Sequence, residues 1–325
     1  MSRILEVKNL STSFRTERGV MKAIDGVSFE VNEGEILGVV GESGCGKSVT
    51  SQSIMRLYDE KYQAIYSGQI LFGGKNILET PEKEMQSVRG NDVAMVFQDA
   101  LSALNPVFTV GHQIMDTLKI HQGMKKKEAR AKAVEMLRLV GIPDPEKRVD
   151  QYPHELSGGM RQRVMIAIAL CCQPRLLIAD EPTTALDVTI QAQIMELILE
   201  LNRKMNMGVM LITHDLSVVA EVCNRVIVMY LGQVVEEADV NTIFDNPMHP
   251  YTIGLMKSIP KITGAREERL YQIKGTVPLL NQIPNGCRFA PRCPYATERC
   301  RAEMPELQKV AEGHAVRCFR GNPEV

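Results

Sequence analysis

The sequence predicts an α/β protein: a largely parallel sheet with helices on its faces, a helical insertion, and a short C-terminal extension rich in cysteine. Five short, fully apolar runs at Ile36–Val40, Ala94–Phe97, Leu176–Ala179, Val209–Ile212 and Val226–Met229 are bounded by Gly, Asp or Gln and separated by helical patterns. Such runs mark strands buried on both faces. The first leads directly into a glycine-rich loop, Gly41 to Ser48. Cys287, Cys293, Cys300 and Cys318 crowd into the last forty residues, whereas Cys45, Cys171, Cys172 and Cys223 are scattered.

In chain order, Ile4–Leu10 and Val27–Val31 alternate apolar and polar residues, which predicts half-buried antiparallel strands. Between Asp99 and Asp150 the pattern changes. Lys125–Val140 reads as one amphipathic helix with Ala129, Ala133, Met136, Leu137 and Val140 on its apolar side, so this stretch is a helical insertion. After Gly232 proline becomes frequent, and Met248–Pro260 opens the extension.

A length of 325 residues allows about two domains at roughly 150 residues each. The net charge is -1, there is no Trp, and aromatic residues make up 5%. A general nucleic-acid binder would carry a basic excess and rings to stack on bases, so both counts argue against that class. The longest uninterrupted apolar stretch is Val164–Cys172, well short of the ~20 residues of a spanning helix. The N-terminus shows no signal peptide, and a cytoplasmic location is expected.

Gly41-Glu42-Ser43-Gly44-Cys45-Gly46-Lys47-Ser48 fits the phosphate-loop pattern in its strand–loop–helix setting. Glycines let backbone N–H groups approach phosphate oxygens, and the helix opening at Lys47-Ser48-Val49 turns its positive end to the same anion. Lys47 is expected to reach the β- and γ-phosphates and Ser48 to ligate Mg²⁺. The run Leu176–Ala179 then delivers Asp180 and Glu181 at a strand's C-terminal end, where ligands of open α/β sheets bind. Asp180 is expected to hold Mg²⁺ through water, and Glu181 to act as general base on the attacking water.

Leu156-Ser157-Gly158-Gly159-Met160-Arg161-Gln162-Arg163 lies between these motifs. It resembles the signature of the ATP-binding-cassette family. The family's fifth residue is Gln and here it is Met160, which removes one side-chain contact but keeps the Ser157 hydroxyl and the N–H groups of Gly158 and Gly159. The resemblance covers residues 1 to about 240. It implies a RecA-like parallel core, an antiparallel β subdomain and a helical subdomain at about 99–170; residues 241–325 lie beyond it and are expected to form a small metal-binding extension. It also implies that two cassettes pair head to tail, each signature capping the γ-phosphate held by the other's phosphate loop. On the same basis Phe14 stacks on adenine, Gln98 joins Mg²⁺ and the attacking water to the insertion, Ala185-Leu186-Asp187 crosses the dimer interface, and His214 contacts the γ-phosphate and orders Glu181.

His249-Pro250-Tyr251-Thr252, Leu255–Pro260, Gly275–Pro278 and Ile283–Phe289 form a second stretch, similar to the C-terminal extension of oligopeptide, dipeptide and nickel importer ATPases. The resemblance implies an ATPase that energises di- or oligopeptide uptake. It implies two permease subunits, a second ATPase subunit (self or paralogue), an extracytoplasmic binding protein, and a position on the inner membrane's cytoplasmic face. A nickel importer and a soluble family member without a membrane partner are the alternatives. The latter would carry long coiled coils or two cassettes, neither of which the chain has.

The last four cysteines are separated by five, six and seventeen residues. Four thiols close together in a cytoplasmic chain suggest a soft-metal site. Structural zinc favours C-x₂₋₄-C pairs, which are absent, and Pro294 after Cys293 fits the Cys-Pro habit of ferredoxin loops. The family resemblance also implies a [4Fe–4S] cluster on Cys287, Cys293, Cys300 and Cys318. Zinc and unligated thiols are the alternatives.

Overall fold

The computed structural model describes residues 2–17, 19–184, 186–259 and 271–320. Two long strands come first, β1 (Arg3–Thr16) and β2 (Gly19–Asn32). Both outrun the predicted alternation, because polar residues also take inward positions. Thr12 is fully buried, its hydroxyl 2.9 Å from that of Ser53. Next come β3 (Ile36–Val40), α1 (Lys47–Ile54), β4 (Ala64–Phe72) and β5 (Lys75–Asn76). They are followed by α2 (Glu82–Val88), β6 (Val93–Val96), α3 (Ala100–Ala103), α4 (Val110–Gln122), α5 (Lys126–Leu139) and α6 (Pro145–Arg148). The chain continues through α7 (Gly158–Leu170), β7 (Leu176–Asp180), α8 (Val188–Met205), β8 (Gly208–Ile212) and α9 (Leu216–Val222). The last elements are β9 (Arg225–Tyr230), β10 (Gln233–Asp239), α10 (Val240–Asp245), α11 (Pro250–Lys257), α12 (Glu298–Ala302), β11 (Gln308–Ala311) and β12 (His314–Val316).

The chain divides into two compact units. The first comprises Met1–Leu5, Val31–Glu35 and Glu79–Ile212. Its strands β6, β7 and β8 run parallel, in register Val93↔Leu176 and Leu176↔Gly208, and all three are buried along their length. Continuous apolar sequence is what such strands require. Helices α4 and α5 pack on each other and on α7. The predicted apolar face of α5, Ala129, Ala133, Met136, Leu137 and the C-cap Val140, is buried throughout.

The second unit comprises Glu6–Glu30, Ile36–Leu78 and Thr213–Val325. Here β3 pairs in parallel with β9, β9 with β10 antiparallel, and β10 with β12, which in turn pairs with β11. The C-terminal segment thus continues the sheet past β10. One buried carboxylate ties it down. Glu236, fully buried in β10, accepts the N–H groups of Met248 (2.6 Å) and His249 (2.9 Å) and pairs with His314 Nε2 at 2.8 Å. A buried charge is tolerable only when its lone pairs are filled in this way. Among the described residues no helix is long and apolar enough to cross a membrane.

Candidate nucleotide site and cysteine-lined cavity

The phosphate loop leaves β3 and enters α1 as its motif predicts. Gly41 has φ 151°, and a Cβ there would meet the Met229 carbonyl at 2.3 Å. No other residue fits. Cys45 is buried and burial pushes its thiol up, so it serves as loop packing, while Ser43 and Gly44 are exposed. The Lys47 ammonium donates to the carbonyls of Gly41 (2.8 Å) and Glu42 (3.2 Å). It is thereby folded back over the loop, and Ser48 and Val49 follow in the first turn of α1.

Asp180 ends β7, buried, and the chain then turns sharply. Glu181 adopts φ 47°, a left-handed conformation that costs a non-glycine residue about 1–3 kcal/mol. Its N–H donates to the Ile212 carbonyl at 2.9 Å. Its carboxylate accepts from Gln98 Nε2 at 3.0 Å and from the Thr184 hydroxyl at 3.0 Å, both on Oε2. Gln98 and Glu181, 83 residues apart in sequence, therefore meet. Thr184 carried no signal in the sequence and joins them.

Ser157 caps α7, its hydroxyl accepting from the Met160 N–H at 3.3 Å. Gly159 is closely approached, since a Cβ there would lie 2.8 Å from Ile190 Cγ2. Gln162 Nε2 reaches the Pro182 carbonyl at 2.5 Å. Asp187 caps α8 by accepting from the Ile190 N–H at 3.0 Å. The signature and the segment after Glu181 are thus packed together, though Ala185 lies outside the described residues, as does Pro260 of the extension. Phe14 is half-buried, edge-on to Tyr58 with ring centroids 4.8 Å apart. His214 stands exposed between β8 and α9.

Cys287, Cys293, Cys300 and Cys318 line one small cavity, walled by Pro250, Phe289, Tyr295 and Phe319. Burial pushes the Cys293 thiol up to about 11, with the other three cysteines contributing, and raises Cys287 as well. Among the described residues no three His, Cys, Asp or Glu side chains converge to hold a single metal ion. His249 also faces this cavity. Burial holds its ring down to about 3, and its Nδ1 accepts from the Tyr251 N–H at 3.1 Å.

Residues 24–184 match the ABC transporter family, and residues 235–300 match the oligopeptide/dipeptide transporter C-terminal region. The chain is 54% identical to a probable peptide ABC transporter ATP-binding protein, y4tR, of Sinorhizobium fredii, covering 99% of this chain and 96% of the relative. The chain belongs to the ABC transporter ATPases. It is 53% identical to the oligopeptide transport ATP-binding protein AppD of Bacillus subtilis (98% and 97% covered). Identity to the dipeptide transport ATP-binding protein DppD of Escherichia coli is 52% (97% and 96% covered). Among solved structures it resembles the dimeric ATP-binding cassette MJ0796 bound to ADP and phosphate, at TM-score 0.65 and 28% identity, over 73% of this chain and 98% of that one. The cbiO1 protein of Clostridium perfringens, part of the ABC transporter complex cbiONQ, gives TM-score 0.64 at 28% identity, over 76% of this chain and 92% of that one. The fold is that of an ABC nucleotide-binding domain, and the protein is an ATPase subunit.

Sequence reasoning missed a set of residues around the phosphate loop of this ABC ATPase. The Tyr251 hydroxyl accepts the Glu42 N–H at 2.7 Å, and Arg292 forks onto the Glu42 carboxylate at 2.5 and 3.0 Å. In the sequence Tyr251 stands out only as part of a family stretch, and Arg292 carries no signal. Their partners lie more than two hundred residues upstream, a distance no local pattern spans.

Proposed function

We propose that this ATPase energises the import of di- or oligopeptides through two separate permease subunits, at the cytoplasmic face of the membrane. The names of its half-identical relatives and the match to the oligopeptide/dipeptide C-terminal region support that substrate class. A second ATPase subunit, self or paralogue, completes the ATP sites, and an external binding protein delivers the peptide. The dimeric state of MJ0796 supports the pairing. The domain division that goes with this reading is a cassette at 1–240, with its helical subdomain at about 99–170, and an extension at 241–325.

In this reading Lys47 and the backbone amides from Gly41 through Val49 hold the phosphates, and Phe14 holds adenine. Ser48, Gln98 and Asp180 are hard oxygen donors of the kind Mg²⁺ takes. When bound, the ion offsets charge on the β- and γ-phosphates. Glu181 accepts the proton of the attacking water, and His214 contacts the γ-phosphate. Ser157, Gly158, Gly159 and Asp187 face the partner cassette's nucleotide. Loss of the γ-phosphate reopens the pair, a switch driven by the difference in affinity between ATP and ADP.

The cysteine cavity supports a [4Fe–4S] cluster over zinc. The four cysteines share one cavity, and none of them stands in the tight C-x₂₋₄-C pairs that structural zinc favours.

One observation carries the hydrolytic reading: the Glu181 carboxylate held by Gln98 and Thr184 at the end of β7. Glu181→Gln should lower ATP turnover by about 10²–10⁴-fold, the usual contribution of a general base, while ATP binding persists. Unchanged steady-state hydrolysis in that variant would remove Glu181 as the base.

A further inference from the structure

The turn from Cys287 to Cys293 has two faces. Its N–H groups close two overlapping turns, Ala290 onto the Cys287 carbonyl (3.0 Å) and Cys293 onto that of Phe289 (3.0 Å). Cys287 and Cys293 point to the cavity. Arg288 reaches Leu231 and Asp25 instead, and Arg292 reaches the phosphate loop. Both are nearly buried, with side chains 6% and 4% exposed.

Arg292 grips Glu42 with a two-pronged fork, and its Nε is steadied by the Lys274 carbonyl at 3.1 Å. Fork geometry fixes orientation as well as charge. Glu42 is thereby held at every polar group: carboxylate by Arg292, N–H by Tyr251, carbonyl by the Lys47 ammonium. Arg288 acts one step further back. It donates to the Leu231 carbonyl and pairs with Asp25, and the adjoining Gly232 N–H donates to the Cys45 carbonyl at 2.8 Å while its carbonyl accepts from Asp25 at 2.9 Å.

We propose that Arg292, backed by Arg288, is a positioning residue for the phosphate loop, so that the cysteine-bearing turn sets the affinity for ATP through Glu42. The inference rests on residues 41–48 being the phosphate site. Without Arg292, Glu42 is free to swing, and the carbonyl that orients Lys47 moves with it.

Equilibrium titration of the full-length protein with a fluorescent ATP analogue tests this, using Arg292→Ala, Glu42→Gln, the double variant and Lys47→Ala. Each single change at the fork should weaken ATP binding about tenfold, equivalent to 1.4 kcal/mol, and the double variant should bind no more weakly than either. Such non-additivity identifies residues acting as a pair. In turnover, the loss should fall on KM with kcat little changed. Glu42 is partly exposed, so Glu42→Gln carries the test even if Arg292→Ala fails to fold. Tighter binding by Glu42→Gln would show a pure charge effect and overturn the proposal, as would additive losses. If Lys47→Ala abolishes binding while both fork variants bind normally, the positioning role alone is wrong. If Lys47→Ala binds normally, the phosphate-site reading falls too.

Discussion

At the scale of the residue, the proposed chemistry rests on Glu181. Its strained φ of 47° is the cost of presenting a carboxylate directly after a buried strand. Two donors, Gln98 and Thr184, fix the same oxygen, Oε2. Thr184→Val removes one donor of similar shape. Turnover should fall about fivefold, the value of roughly 1 kcal/mol for one hydrogen bond, with KM for ATP unchanged, as steady-state kinetics will show. A shift confined to KM would instead place Thr184 in nucleotide binding. The acid pair was legible because an apolar strand ending in Asp-Glu is a restrictive pattern. Thr184 was not, since a threonine in a polar loop has no signature until its partner is known. Cys45 was legible only as a motif position, and the structure adds that its thiol is buried packing.

Among the elements, strands buried on both faces were legible almost end to end, whereas the half-buried β1 and β2 were legible only in part. β3, β7 and β8 fall within a residue of the apolar runs that predicted them. β10 escaped notice because Glu236, a charged residue, occupies an inward position that His314 and two backbone N–H groups make tolerable. β11 and β12 are too short and polar to stand out, and they exist by pairing with β10 and each other. The extension's four cysteines were legible by number and compartment, but their gathering around one cavity depends on these strands. Anaerobically purified protein should contain about four irons and four acid-labile sulfides per chain, with broad absorption near 400 nm. Cys293→Ser should lose most of both. One zinc per chain without sulfide would replace the cluster by a structural zinc.

For the molecule as a whole, sequence motifs told the class of machine and the structure tells how its parts are wired. The phosphate loop, the signature and the carboxylates are local patterns, each readable within ten residues. Long-range ties are not: Arg292 to Glu42 and Gln98 to Glu181 join segments that only the fold brings together. The first of these ties joins the C-terminal extension to the glycine-rich loop within one compact unit. The central claim is that ATP hydrolysis at Glu181 powers peptide entry. Uptake of a radiolabelled di- or oligopeptide series by cells whose chromosomal copy carries Glu181→Gln tests it most directly. The account predicts that uptake of at least one peptide class is lost and returns with the unaltered chain supplied in trans. Uptake of every peptide at the parental rate in the Glu181→Gln cells would contradict it.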